Sequence, residues 1–277
     1  MASVTRFPQG APTIMSVAHA GGQGKTTLAQ LLYIASKKGG VPYKLCSADF
    51  VDESGHSKLG KLYPKAVTEF GPGARLTLAR NQNNTNAPLR YWDTIGPVFL
   101  EGGSIIDVGA NVISGIVEWG VDRNVASLME RRKAPGVDLF CVCKSQKHAL
   151  DDMHTLVKNV TSDKPFQVNR IIVVKNEIGG PFYSSFEEGL RGAFPDLHLT
   201  FMNLRACQAE IWPAIERHGV SLETVIASDE DRLMALLDVD LWTASAGLAE
   251  IRAWVDNCMR VIRELDLFDR KEARAIA

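Results

Sequence analysis

The sequence is short of cysteine, has no dominant charge and contains no long apolar run, and each shortage removes a class of protein. Its five cysteines, Cys46, Cys141, Cys143, Cys207 and Cys258, are odd in number and mostly set in apolar stretches, which is not the pattern of a disulfide framework. A reducing, cytoplasmic setting is therefore the expectation. Cys141 and Cys143 alternate along Leu139-Phe140-Cys141-Val142-Cys143, so on a strand they point to one face, and no second pair completes a zinc site. Burial is expected for both. The 31 basic and 32 acidic residues leave a net charge of -1, so no global field draws the chain to nucleic acid or to a membrane surface. No uninterrupted apolar run approaches the roughly 18 residues needed to span a bilayer. The opening MASVTRFPQGAPTIMSV lacks the apolar stretch of a secretory signal, so neither export by that route nor a transmembrane segment is expected. Internal repeats are also missing.

What is present describes a globular chain, with 45% hydrophobic and 23% charged residues over a length of 277, enough to bury a sizeable core. Short β-type runs at 13–18, 43–47, 104–108, 138–142, 169–174 and 198–202 alternate with helical periods at 26–38, 112–132, 148–160, 185–193, 206–218 and about 241–265. That alternation predicts an α/β fold with a doubly wound, mostly parallel sheet. Ser184 with Glu187 and Ser228 with Asp231 have the spacing of capping boxes. The reading is one domain over 1–277, with a core at about 13–225 and a helical extension at about 228–268. In that extension Leu248, Ile251, Val255, Cys258 or Met259, Ile262 and Leu265 make one apolar stripe, expected to dock on the chain's own sheet.

The most informative segment is the strand-like Thr13-Ile14-Met15-Ser16-Val17-Ala18, followed by His19-Ala20-Gly21-Gly22-Gln23-Gly24-Lys25-Thr26-Thr27 and a helical run. A strand passing through a glycine loop into Gly-Lys-Thr and a helix is the arrangement that wraps phosphates. Glycines let successive backbone N–H groups face the phosphate oxygens with no Cβ in the way. Here Gly21, Gly22, Gln23, Gly24, Lys25, Thr26 and Thr27 are the predicted nucleotide-binding residues, Lys25 reaching the β- and γ-phosphates and the Thr26 hydroxyl binding Mg²⁺. The strict pattern begins with Gly, where this chain has His19.

The loop resembles the deviant Walker A loop of the ParA/MinD superfamily of P-loop ATPases, Lys-Gly-Gly-x-Gly-Lys-Thr-Thr. Every position fits but the first, where the family's lysine, which reaches across a dimer interface to the partner's nucleotide, is Ala20. That departure bears on the family's ATP-sandwich dimer; His19 is a candidate substitute, and a local turn role is the alternative. The resemblance extends from Ile14 to about Val225. It implies that Asp49, at the end of the second strand run, orients the attacking water and touches the Mg²⁺ shell, although the family's following Pro-Gln is replaced by Phe50-Val51 and Asp52 competes for the role. Asp107, in Ser104-Ile105-Ile106-Asp107-Val108-Gly109, looks like a Walker B carboxylate that holds Mg²⁺, with Gly109 sensing the γ-phosphate. Asn176 resembles the asparagine with which the superfamily hydrogen-bonds adenine. Ser145 lies in a loop at the same sheet edge, with a helix cap as the plain alternative.

Other candidates carry less. Arg131-Arg132-Lys133 reads as a solvated helix end favoured by the helix dipole. The polar stretch 81–86 reads as a solvated loop, or with Arg75, Arg80 and Arg90 as a surface binding DNA without sequence preference. Too few residues precede the first strand to hold a helix-turn-helix, so sequence-specific DNA binding is not expected. The resemblance implies a slow, partner-stimulated ATPase with ATP and Mg²⁺. Such a protein switches in plasmid or DNA segregation, positioning or conjugative transfer, with an ATP-dependent homodimer or polymer and a protein partner. The alternatives are a small-molecule ligase or kinase resembling dethiobiotin synthetase, and a nucleotide-binding assembly module that does not hydrolyse.

Overall fold

The computed structural model describes residues 10–70 and 91–268. Arg75, Arg80, Arg90 and the stretch 81–86 lie outside the described residues. Seven strands form one parallel sheet: β1 (Thr13–Val17), β2 (Lys44–Ala48), β3 (Val67–Glu69), β4 (Ser104–Val108), β5 (Val137–Lys144), β6 (Val168–Asn176) and β7 (Leu199–Leu204), in the spatial order β3-β2-β4-β1-β5-β6-β7. β1 and β4 are buried along their whole length, as a parallel sheet covered on both faces requires. Strand alternation sorts the side chains into two cores. Ile14, Leu45, Ile105, Phe140 and Ile172 face one side, and Met15, Cys46, Ile106, Leu139 and Val173 face the other. Both Cys141 and Cys143 are buried on this second side, as expected.

The helices used below are α1 (Lys25–Lys38), α2 (Lys58–Leu62), α3 (Gly96–Glu101), α4 (Ile113–Asp122), α5 (Val125–Arg132), α6 (Ala149–Thr161), α7 (Phe186–Ala193), α8 (Trp212–His218), α9 (Leu222–Ile226), α10 (Glu230–Leu237) and α11 (Leu241–Arg263). α11 buries Leu248, Ile251, Val255, Cys258, Met259 and Ile262 in the same core as α1, so the predicted stripe docks within the chain. Among the described residues no helix is long and apolar enough to cross a membrane.

Several sequence-based boundaries are corrected. The single helix expected at 112–132 is two, because Asn124 adopts φ 50° and starts a second helix after Arg123; asparagine tolerates that left-handed backbone better than most residues. The helix expected at 206–218 begins only at Trp212, since Pro213 fits a first turn and would remove a hydrogen bond from a helix interior. No cap forms at Ser184, and α7 starts after Ser185 without a side-chain cap. At the next start Asp229, not Ser228, accepts the N–H of Arg232 at 2.9 Å, while Ser228 donates back to the Thr224 carbonyl at 2.8 Å. The short β3 and α2, α3, α9 and α10 have too few periods to stand out in a sequence.

From β1 the chain builds β2 and β3 on one side, returns with β4, and then builds β5 to β7 on the other. In such a sheet the crevice outside the carboxyl ends of the central strands is where ligands sit. The loop from Ala18 to Gly24, Asp49 after β2, Gly109 after β4, Ser145 after β5 and Asn176 at the end of β6 all lie at this edge.

Candidate functional site

The loop between β1 and α1 takes its path from its glycines. Gly22 has φ 70° and Gly24 φ 101°, conformations that side chains bearing a Cβ rarely adopt. At Gly24 a Cβ would also lie 2.4 Å from the Asn176 amide nitrogen. Two amide side chains fasten the loop to the sheet: Gln23 Oε1 accepts the Lys144 N–H at 2.7 Å, and Asn176 Nδ2 donates to the Gln23 carbonyl at 2.8 Å. The Gln23 side-chain oxygen is thus used on β5, and Gln23 itself does not line the cleft that Gly21, Gly22 and Gly24 border. Asn176 lines the cleft while bracing the loop, and its Oδ1 accepts the Ile178 N–H at 3.3 Å. A carboxamide so used keeps one N–H and one lone pair for a second partner.

The next residues bring charge together below the loop. Thr26 Oγ1 donates to Asp107 Oδ2 at 2.7 Å, joining the first turn of α1 to β4. Asp107 is buried, its other oxygen has no hydrogen-bond partner, and burial raises its carboxyl to about 6. The Thr26 bond and the Lys25 charge pull the other way. Lys25 is itself buried, and desolvation lowers its ammonium below the usual lysine range, although the attraction of Asp107 and then Asp49 offsets part of this. An anion brought next to such a lysine would favour its charged form and offset the cost of burial. Asp49 follows β2 directly and lines the cleft, its Oδ1 accepting the Phe50 N–H at 2.8 Å. It rests against Gly109, where a Cβ would lie 2.1 Å from Asp49 Oδ1; only glycine admits this contact between the loops after β2 and β4. Asp52 turns elsewhere, pairing with Lys61 and capping Ser54 and His56.

These groups bound one cleft of about 300 Å³. Gly21, Gly22, Gly24, Lys25, Thr26, Thr27, Asp49 and Asn176 line it, and Asp107 lies beneath Thr26. The cleft is also lined by residues with no sequence motif: Ile178, Arg205, Trp212 and Trp254, the last two in edge contact at 5.4 Å between ring centres. Trp254 Nε1 donates to the Arg205 carbonyl at 2.8 Å, so α11 fixes the loop after β7. Lys58 and Glu216 also reach the cleft. His19 points away from it, its Nε2 3.8 Å from Asp152 Oδ1 on α6, and Ser145 Oγ is occupied by the Pro181 carbonyl at 2.9 Å rather than capping a helix.

Several solved structures are similar to this chain at low identity. One is a nucleotide-binding protein from Archaeoglobus fulgidus in complex with ADP, at 12% identity and a TM-score of 0.41, covering 76% of this chain and 86% of that one. Another is the MinC:MinD cell division protein complex of Aquifex aeolicus, at 13% identity and a TM-score of 0.41, over 88% and 95% of the two chains. A third is the MinD cell division protein of the same organism, at 12% identity and a TM-score of 0.41, over 88% and 96%. No family model matches the chain, and no curated protein matches it.

The donor set suits a small hard cation. Among the described residues no three or more His, Cys, Asp or Glu side chains gather into a cage. Mg²⁺, however, is usually held by one or two carboxylates with substrate phosphates and water. A buried carboxylate oxygen without a partner on Asp107, next to the Thr26 hydroxyl, fits that requirement.

Proposed function

We propose that the chain is an ATP-binding, slowly hydrolysing switch of the ParA/MinD kind. The observation that carries this reading is the buried Lys25 beside the Thr26–Asp107 pair, next to a loop whose positive-φ glycines Gly22 and Gly24 line the same cleft. The polyphosphate would lie along the loop with Lys25 on the β- and γ-phosphates, and the base would occupy the end formed by Asn176, Ile178, Arg205 and Trp254. Thr26, Asp107 and Asp49 would hold Mg²⁺, which when bound neutralises charge on the phosphate oxygens.

Hydrolysis needs a water in line with the γ-phosphorus, its oxygen forming the new bond as the bond to the β,γ-bridging oxygen breaks and ADP leaves. Asp49 would orient that water, a role supported by its position in the cleft lining with one carboxylate oxygen not used by the Phe50 N–H. Lys25 and the loop N–H groups stabilise charge as it builds on the leaving oxygen. The contact of Asp49 with Gly109 would pass the presence of the γ-phosphate to the loop after β4, and so to a surface for a second copy or a protein partner. Segregation, positioning or conjugative transfer of DNA is the setting we propose for such a switch.

Light scattering of the protein without nucleotide, with ADP and with ATP plus Mg²⁺, with phosphate release followed in the same samples, tests the switch. The expected result is a rise in mass specific to ATP, with slow release. Asp49→Ala should keep ATP binding while release falls about a hundredfold or more, the usual scale for losing a residue that positions the nucleophile. A mass that never changes with ATP contradicts the self-associating switch, and release at the wild-type rate in Asp49→Ala contradicts the role of that carboxylate.

A further inference from the structure

Lys58 has no part in the loop motif, yet its side chain borders the cleft together with Lys25, Thr26 and Asp49. It also borders an adjoining cavity of about 380 Å³ with Thr27, Gln30 and Trp212. Its backbone is held on both sides. Ser57 is buried, donates its N–H and hydroxyl to Glu69 Oε1 at 2.9 and 3.1 Å, and accepts the Gly60 N–H at 3.0 Å, while Leu59 is fully buried. The lysine stem therefore starts from a fixed point between two buried residues, Ser57 and Leu59, at the border of the site.

The ammonium itself is weakly engaged. It pairs with Glu216 Oε1 on α8, at 4.0 Å with side chains 68% and 54% exposed, an ion pair of the kind that contributes little. The neighbouring Lys61 differs, being taken up by Asp52. Lys58 is also close enough to act on the two groups at the floor of the site. It adds to the lowering of Lys25, which burial dominates and Asp107 and Asp49 oppose, and it counters the rise that burial imposes on Asp107.

We propose that Lys58 is a second phosphate-contacting cation, which gives up Glu216 for the polyphosphate when a nucleoside triphosphate enters the cleft. The inference rests on the nucleotide reading of that cleft. A polyphosphate offers more negative charge and more acceptor oxygens than one half-exposed carboxylate, and a lysine on a flexible stem serves as a mobile point charge. Exchange of partners would also release Glu216, so that the walls carrying α2 and α8 are joined through the ligand and no longer through a surface ion pair.

The test is calorimetric titration of the full chain with ATPγS and with ADP in Mg²⁺, for wild type, Lys58→Ala, Lys58→Arg, Lys61→Ala and Lys25→Ala. Lys58→Ala should bind ATPγS about tenfold more weakly, as loss of one charge-assisted contact implies, with a smaller loss for ADP. Lys58→Arg should recover most of the affinity, and Lys61→Ala should stay within about twofold of wild type, because its lysine is already paired. ATPγS affinity unchanged in Lys58→Ala overturns the assignment while leaving the cleft reading in place. Equal losses in Lys58→Ala and Lys61→Ala overturn it too, since they reduce it to general surface charge. A wild type that binds neither nucleotide removes the cleft reading and this inference with it.

Discussion

Lys25→Ala is expected to abolish nucleotide binding, weakening both ATPγS and ADP by at least about a hundredfold, because a buried ammonium on a phosphate is a charge-assisted contact with no water to replace it. The fold should survive. The Lys25 carbonyl, which accepts the Ser16 hydroxyl at 3.2 Å, is unaffected by shortening the side chain, and α1 gains a residue of high helix propensity. Without the lysine, Asp107 loses an attractive charge and its carboxyl moves further above the value of about 6. Circular dichroism and a calorimetric titration check both halves. Retained affinity for either nucleotide in a folded Lys25→Ala protein would overturn the phosphate assignment.

The second large effect concerns Asp107, whose cost to the empty protein and use to the loaded one have opposite signs. Burial raises the carboxyl from 3.8 to about 6. Below about pH 4 the folded and unfolded chains both carry this proton. Between about pH 4 and 6 the unfolded chain releases it while the folded chain retains it, so the folded state binds more protons and stability falls as the pH rises through that window. Above it the penalty is constant. Asp107→Asn removes the ionisation and keeps an oxygen to accept the Thr26 hydroxyl. Its stability relative to wild type should therefore improve across the same window, by on the order of 3 kcal/mol at neutral pH. The same variant should lose ATP turnover by about a hundredfold or more, since in the proposed function this carboxylate would hold the cation on the phosphates. Denaturant melts at pH 4 and pH 7.5 read the first effect and phosphate release the second. A stability difference independent of pH would contradict the upward shift that burial gives this carboxyl.

The sequence made the loop and its floor legible because both are written as contiguous residue patterns. The Gly-rich run ends in Lys25-Thr26 between a strand and a helix, and Asp107 and Asn176 each stand at or near the end of an apolar strand. Parallel sheets buried on both faces announce themselves as apolar runs, which is why the six longer strands could be read and the three-residue β3 could not. The rest of the cleft has no such signal. Arg205, Trp212 and Trp254 come from a loop and two helices that meet only through packing, above all the Trp254 bond to the Arg205 carbonyl. Lys58 looks like any surface lysine after a serine cap until Glu69 and Leu59 fix its backbone. Asn176 was readable as a polar strand end, but its hold on Gln23 across the loop depends on β6 lying two places from β1 in the sheet. Pro213 is the exception, a signal present in the sequence that marks the first turn of a helix and so argues against one running from 206 through it.

Photolabelling with 8-azido-ATP in Mg²⁺, followed by mapping of the labelled peptides, tests most directly whether a nucleotide occupies this cleft. The account predicts label on the segments around Ile178, Arg205–Trp212 or Trp254, lost when ADP competes and lost in Lys25→Ala. Label elsewhere on the chain, or no label that ADP displaces, would contradict it.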